Sequence, residues 1–240
     1  MSLQYQTDEQ EQPQSIQPGL PFPVYTVVLI ASYATVAAVQ FAVGLDRSIM
    51  LAGFDKPAFL HGHEYWRILT GATLHGGLLH VVMNSYAFFS FGRIFEMLTN
   101  RAHLAIVFLF SAIGGGLLSL AMLPDGVSVG ASGGIVGLIG YLVVYAFRRR
   151  EFISYEFRKS LLINIGFILI FGLLLYQTID NYGHIGGLIT GAVYGLLQVP
   201  GDSFADPRVA GRAAGTIGLI SVGVYVAACS FSILLMSGIV

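Results

Sequence analysis

Charged residues make up only 10% of this sequence, and it contains one cysteine in 240 residues. Average soluble domains carry roughly 25% charged residues. The shortage of charge, beside 55% hydrophobic residues, excludes an ordinary soluble domain and indicates an integral membrane protein. The lone Cys229 excludes an internal disulfide and a cysteine-based metal cluster, and its apolar surroundings make it a small hydrophobe. The net charge of -1 and the lack of a basic block argue against a nucleic-acid partner. Residues 1–17 are polar, acidic and rich in Gln, with no arginine and no apolar run. They fit neither a secretory signal nor a mitochondrial presequence, and a disordered tail is expected.

What is abundant is the long apolar run. A spanning helix needs about 20 apolar residues at 1.5 Å each to cross about 30 Å. Seven candidates are present, at 24–43, 78–98, 103–123, 132–147, 160–177, 184–199 and 213–236. An all-α polytopic membrane protein is therefore expected. Only the first connection, 44–77, is long. It is half apolar, with Phe54, Phe59, Leu60, Tyr65 and Trp66, and is expected to lie in the membrane interface.

The basic residues set an orientation. Arg101, Arg148, Arg149, Arg150, Arg158, Lys159, Arg208 and Arg212 fall on one side, with Arg93 near that end of the second span. The other side has Arg47, Lys56 and Arg67. Positive charge collects inside, so the N-terminus is expected in the cytoplasm and the C-terminus outside. Ser132 opening the fourth span, His184 opening the sixth, and His80 and Asn84 early in the second then share the outer end. The fourth and sixth candidates are sixteen residues each. That is about 24 Å, which sinks Ser132 and His184 below the outer boundary. Polar groups at that depth pair or line a wet cavity. A serine hydrogen-bonded to a histidine is also the arrangement of an activated nucleophile.

Glycine is the second abundance. Gly130, Gly133, Gly134 and Gly137 surround Ser132, and Gly183, Gly187, Gly191 and Gly195 form an every-fourth stripe beside His184. Such stripes let two helix backbones approach closely. A seam between the fourth and sixth spans would bring Ser132 and His184 together, although a packing role alone would produce the same stripes. His80 and Asn84, four apart, share one helix face. Both carry N–H donors that could hold an oxyanion together with the serine amide. Two other readings of the histidines are metal ligation by His75, His80 and His184, and structural hydrogen bonding between helices. No carboxylate or His-Glu-x-x-His pattern accompanies the metal reading.

Taken in order, Glu64-Tyr65-Trp66-Arg67, His75, His80-x-x-x-Asn84, Gly92, Glu96, Gly130-Ala131-Ser132-Gly133 and Gly183-His184-x-Gly186-Gly187-x-x-x-Gly191 resemble the rhomboid family of intramembrane serine proteases. The resemblance implies a six-helix core over residues 23–200. It leaves residues 1–22 as a cytoplasmic tail and 201–240 as a loop with an appended seventh helix. It implies Ser132 as nucleophile and His184 as general base and then acid, in a dyad without a carboxylate. His80, Asn84 and the Ser132 amide would form the oxyanion hole. Trp66, Arg67 and Glu96 would be structural, as would His75 near the site, while Gly130 and Gly133 frame the serine. No cofactor or metal is implied. The expected partners are transmembrane protein substrates and the lipid bilayer, and the expected location is the plasma membrane. Loop 176–182 would cap the site, and the fifth span would be a lateral gate.

One position departs from the family pattern. Val136 stands where an aromatic residue usually supports the histidine ring, one turn after the serine. Asp180, four residues before His184, is expected to be solvated rather than the third member of a triad. Two competing functions follow from these residues. A non-catalytic member of the same fold would bind transmembrane clients, but it would lack the nucleophile or the base. A transporter would place its polar groups near mid-bilayer rather than near one face.

Overall fold

The computed structural model describes residues 22–202 and 205–240; the expected tail, residues 1–22, lies outside the described residues but for Phe22. Ten α-helices and one two-stranded ladder follow in order: α1 (Val24–Val43), α2 (Leu45–Ala52), β1 (Phe54–Asp55), α3 (Lys56–His61), α4 (Arg67–Thr70), a 3-10 turn (Gly71–Thr73), α5 (Leu78–Leu98), α6 (Arg101–Met122), β2 (Val127–Ser128), α7 (Ser132–Arg148), α8 (Tyr155–Leu174), α9 (Asn181–Gln198) and α10 (Arg212–Met236).

The seven expected spans correspond to α1, α5, α6, α7, α8, α9 and α10. Their ends follow from capping as much as from hydropathy. The Asn100, Ser154 and Asp180 side chains accept from the amides of Ala102, Phe157 and Gly183 and so start α6, α8 and α9. That is why α8 begins at Tyr155, a charged turn before the apolar run: the cap, not the hydropathy, marks the helix start.

By length and composition α1, α6, α8 and α10 can each cross a membrane, and α7 is an apolar helix of 17 residues. The other three of the seven expected spans, α5, α7 and α9, carry Asn84, Ser132 and His184.

Helix α6 is the hub. It packs against α7, α9 and α10, and α7 packs against α9. The α7–α9 contact is made by backbone. A methyl group added at Gly187 would strike the Gly133 carbonyl, and one at Gly191 the Gly137 carbonyl. On the other side of α9, a methyl at Gly186 would come within 2.6 Å of the Gly114 carbonyl of α6. In lipid, helices associate by close packing rather than by expulsion of water, and glycine permits the closest approach. Helix α8 is the contrast, with only 11% of its apolar window buried. Phe167, Ile170, Leu173 and Leu174 point away from the protein.

The long first connection is folded. Arg67, nearly buried, donates from Nε to Glu64 at 2.6 Å and from a terminal nitrogen to the carbonyls of Gly53 at 2.9 Å and Met50 at 3.3 Å. Its guanidinium lies 4.7 Å from the Trp66 ring centroid. Phe54 pairs antiparallel with Ser128, so this loop is joined to the one that leads into Ser132. At the opposite end of α5, Glu96 accepts from the amide and the hydroxyl of Thr26, both at 2.8 Å. Thr26 also lies against Gly92, where any added methyl would collide with it.

Candidate active site

Ser132 is the first residue of α7 and His184 lies in the first turn of α9. The glycine seam brings these two helix openings together. His184 Nε2 stands 2.9 Å from Ser132 Oγ. His184 is buried, and its Nδ1 has no hydrogen-bond partner among the described residues. At the start of α7 the backbone amides have no carbonyl one turn back to bond, and the positive end of the helix dipole lies there.

His80 approaches from α5. Its Nδ1 accepts from the Gly76 amide at 3.2 Å. In a neutral imidazole that leaves the proton on Nε2. Nε2 faces Gly130, which has φ +132°, a conformation that disfavours side chains. A methyl group at Gly130 would sit 3.0 Å from His80 Nε2 and 3.6 Å from Ser132 Oγ. The space that glycine leaves open is therefore flanked by His80 Nε2 and Ser132 Oγ. Asn84, one turn further along α5, is buried with its Nδ2 unpaired.

His75 is fully buried behind this group. Gln40 holds its backbone twice, accepting from the His75 amide at 2.9 Å and donating to its carbonyl at 3.2 Å. The ring lies 5.0 Å from that of Tyr33 and 5.1 Å from that of His80. Burial first, and the neighbouring His80 second, push its pKa down to about 3. Among the described residues no group of His, Cys, Asp or Glu side chains is arranged to hold a metal ion.

Asp180 corrects the sequence reading. It is half-buried rather than solvated, and its carboxylate makes no hydrogen bond to the His184 ring. Its carboxylate accepts from the Ser128 hydroxyl at 2.7 Å, from the Gly183 amide at 2.8 Å and from the Ser119 hydroxyl. Burial alone would raise its pKa, but these hydrogen bonds and the Lys56 charge outweigh that and hold it below the ordinary carboxylate range. Lys56 is itself buried. Desolvation lowers its pKa, and Asp180 acts in the opposite sense. An Asp just before an expected helix is a helix N-cap signal and could have marked Asp180 from sequence. Ser119, Ser128 and Gln40 gave no such signal.

The expected lid is only partly a free segment. Thr178 and Ile179 donate their amides to the Leu175 carbonyl in a closed turn. Beyond it, Asp180 is bonded as described and Asn181 Nδ2 donates to the Leu169 carbonyl of α8 at 3.2 Å. Val136 is buried in α7.

A small cavity of about 50 Å³ opens beside Ser132, lined among others by Ser128, Gly130, Asp180 and Gly183. That is room for one or two waters.

A family model described as the Rhomboid domain matches residues 62–201. The chain is 33% identical over 168 residues to RHOMBOID-like protein 6, mitochondrial, of Arabidopsis thaliana, covering 66% of this chain and 52% of that protein. It is 35% identical over 144 residues to Rhomboid protease GluP of Bacillus subtilis, covering 60% and 28% respectively. It is 31% identical over 148 residues to Rhomboid-like protease 3 of Toxoplasma gondii, covering 61% and 56%. The chain thus spans about half the length, or less, of several of these relatives.

Proposed function

The chain belongs to the rhomboid family of multi-pass membrane proteins, and we propose that it is a serine endopeptidase that cleaves other proteins in or near their transmembrane segments. The observation that carries this reading is the 2.9 Å contact between His184 Nε2 and Ser132 Oγ beside the open space at Gly130.

The steps follow from the geometry. His184 Nε2 takes the proton as Ser132 Oγ attacks the scissile carbonyl carbon. The carbonyl oxygen becomes an oxyanion in the space above Gly130. His80 Nε2–H, Asn84 Nδ2–H and the Ser132 amide donate to it. His184 then gives its proton to the leaving amine, and an acyl-serine remains. A water, deprotonated by His184, attacks that ester and restores Ser132. No carboxylate takes part, because the one within a turn of His184 is held by two serines and a backbone amide. A substrate helix must unwind locally to present its carbonyl, since helical carbonyls are already bonded. Segments weakened by Gly or Pro are therefore the expected substrates.

The bias of Lys and Arg supports an N-terminus in the cytoplasm and a site that opens toward the opposite face of the membrane; the plasma membrane is the location proposed. Residues 23–200 form the catalytic core of this proposal. A client-binding protein of the same fold is the second reading, which Val136 favours by supporting the His184 ring less firmly than an aromatic residue would.

The test is cleavage of a transmembrane substrate by the purified chain in liposomes, beside Ser132→Ala and His184→Ala. Each variant should lose activity by at least about a thousandfold, as removal of a serine-protease nucleophile or base does. Equal cleavage by the wild type and Ser132→Ala would exclude this nucleophile. A wild-type chain that neither cleaves nor reacts with a fluorophosphonate at Ser132 would leave the client-binding reading.

A further inference from the structure

Sequence alone sets α10 outside the 23–200 core. In the structure it packs against α1 and α6 and also against α2, α4 and the 3-10 turn. Two of its side chains, both buried, hold that turn. Tyr225 donates its hydroxyl to the Ala72 carbonyl at 3.0 Å. Ser232 Oγ lies 2.9 Å from Thr73 Oγ1. A third contact comes from Phe231, whose ring stands edge-on to Trp66 at 5.3 Å. The turn in its own right holds the strand next to the nucleophile: the Gly130 amide donates to the Gly71 carbonyl at 2.9 Å. Gly71 packs closely on Phe54: an added methyl would come within 2.5 Å of Phe54 Cβ.

These contacts form one line from α10 to the site: Tyr225 and Ser232 to Ala72 and Thr73, Gly71 to Gly130, and Gly130 to the space beside Ser132. We infer that α10 is a working part of the oxyanion side of the site, with Tyr225 and Ser232 as positioning residues that fix where Gly130 presents that space. The inference rests on the protease reading. Neither residue touches the reacting atoms. Their effect is transmitted through the 3-10 turn and its one main-chain hydrogen bond to Gly130, and small displacements of a catalytic group have large kinetic effects.

The experiment compares the full chain with Tyr225→Phe, Ser232→Ala and the double variant, in liposomes and well below their melting temperatures. Ser221→Ala is the control, because its buried hydroxyl bonds only within α10. Cleavage kinetics, the rate of fluorophosphonate reaction at Ser132 and amide exchange over residues 127–133 are all read. The double variant should lose about tenfold in kcat at unchanged KM, the pattern of a transition-state interaction. Its fluorophosphonate reaction should slow in parallel and the Gly130 amide should exchange faster, while Ser221→Ala matches the wild type in all three. Unchanged exchange, or faster exchange with unchanged kcat, would overturn the inference. So would an equal kcat loss in Ser221→Ala. Those failures leave an active wild type behind them. A wild type that neither cleaves nor labels would instead sink the protease reading, and this inference with it.

Discussion

Ser128 Oγ and Asp180 Oδ2 stand 2.7 Å apart, so the strand leading into Ser132 and the cap that starts the His184 helix share one carboxylate. Asp180 thereby acts on the spacing of Ser132 and His184 without touching either side chain.

Replacing Asp180 with Asn should lower activity by less than the Ser132→Ala loss and destabilise the protein by about 2 kcal/mol, as loss of charged hydrogen bonds does. The pH dependence has a definite sign. The folded-state pKa of Asp180 is depressed, so its stabilisation is complete above the ordinary carboxylate pKa of about 3.9 and is lost as pH falls through the lower folded value. Melting temperatures measured on acidification should therefore fall more steeply for the wild type than for Asp180→Asn. Parallel curves would show that the carboxylate is not the group being titrated.

Asn84 separates activity from stability. Its Nδ2 is buried and unpaired among the described residues, so removing it breaks no hydrogen bond to them. Asn84→Ala should lower kcat by about 10²- to 10³-fold, the loss typical of an oxyanion-hole donor. Its melting temperature should stay close to that of the wild type. A large drop in stability with little kinetic effect would make Asn84 a packing residue.

The α7–α9 seam is open to a direct test at Gly191, two turns below His184. An added methyl would meet the Gly137 carbonyl, and overpacking of this kind costs about 1–3 kcal/mol. Gly191→Ala should lower the melting temperature and also slow fluorophosphonate reaction at Ser132, because the helices must part. Gly166, on α8, has nothing within 4 Å of an added methyl. Gly166→Ala should be neutral or slightly stabilising in the same assay.

Arg67→Lys keeps the charge and loses the fork. One ammonium cannot reproduce the bonds to Glu64, Gly53 and Met50 from a planar group. The first loop should loosen, which a blue or red shift in the emission of Trp66, the only tryptophan, would report. An unchanged spectrum and melting temperature would mean that the planar guanidinium is dispensable.

The sequence was most readable where a helix is bounded by composition. The runs at 24–43 and 78–98 coincide with α1 and α5, since apolar residues stop where the membrane stops. It was less readable at α8, where Glu156, Arg158 and Lys159 occupy a helical turn outside the apolar run. The approach of Ser132 to His184 could be expected from sequence because each sits one position from a glycine row, Gly133 and Gly137 in one helix and Gly183 and Gly187 in the other. Asp180 was misread because its partners Ser119 and Ser128 lie 61 and 52 residues away. No local pattern reports a hydroxyl that arrives from another helix. The short helices and ladder of the first loop were likewise invisible, since Arg67 and the β1–β2 pairing create them from distant backbone.

The contact of Gly187 with Gly133 and of Gly191 with Gly137 is main chain on main chain. Such a joint has no rotamers to populate as temperature rises, and no side-chain volume to rearrange when lipids are exchanged. It works as a ruler cut into the backbone. Helix α8, little buried, is expected to respond first to heating or a change of bilayer, and the register of Ser132 against His184 last.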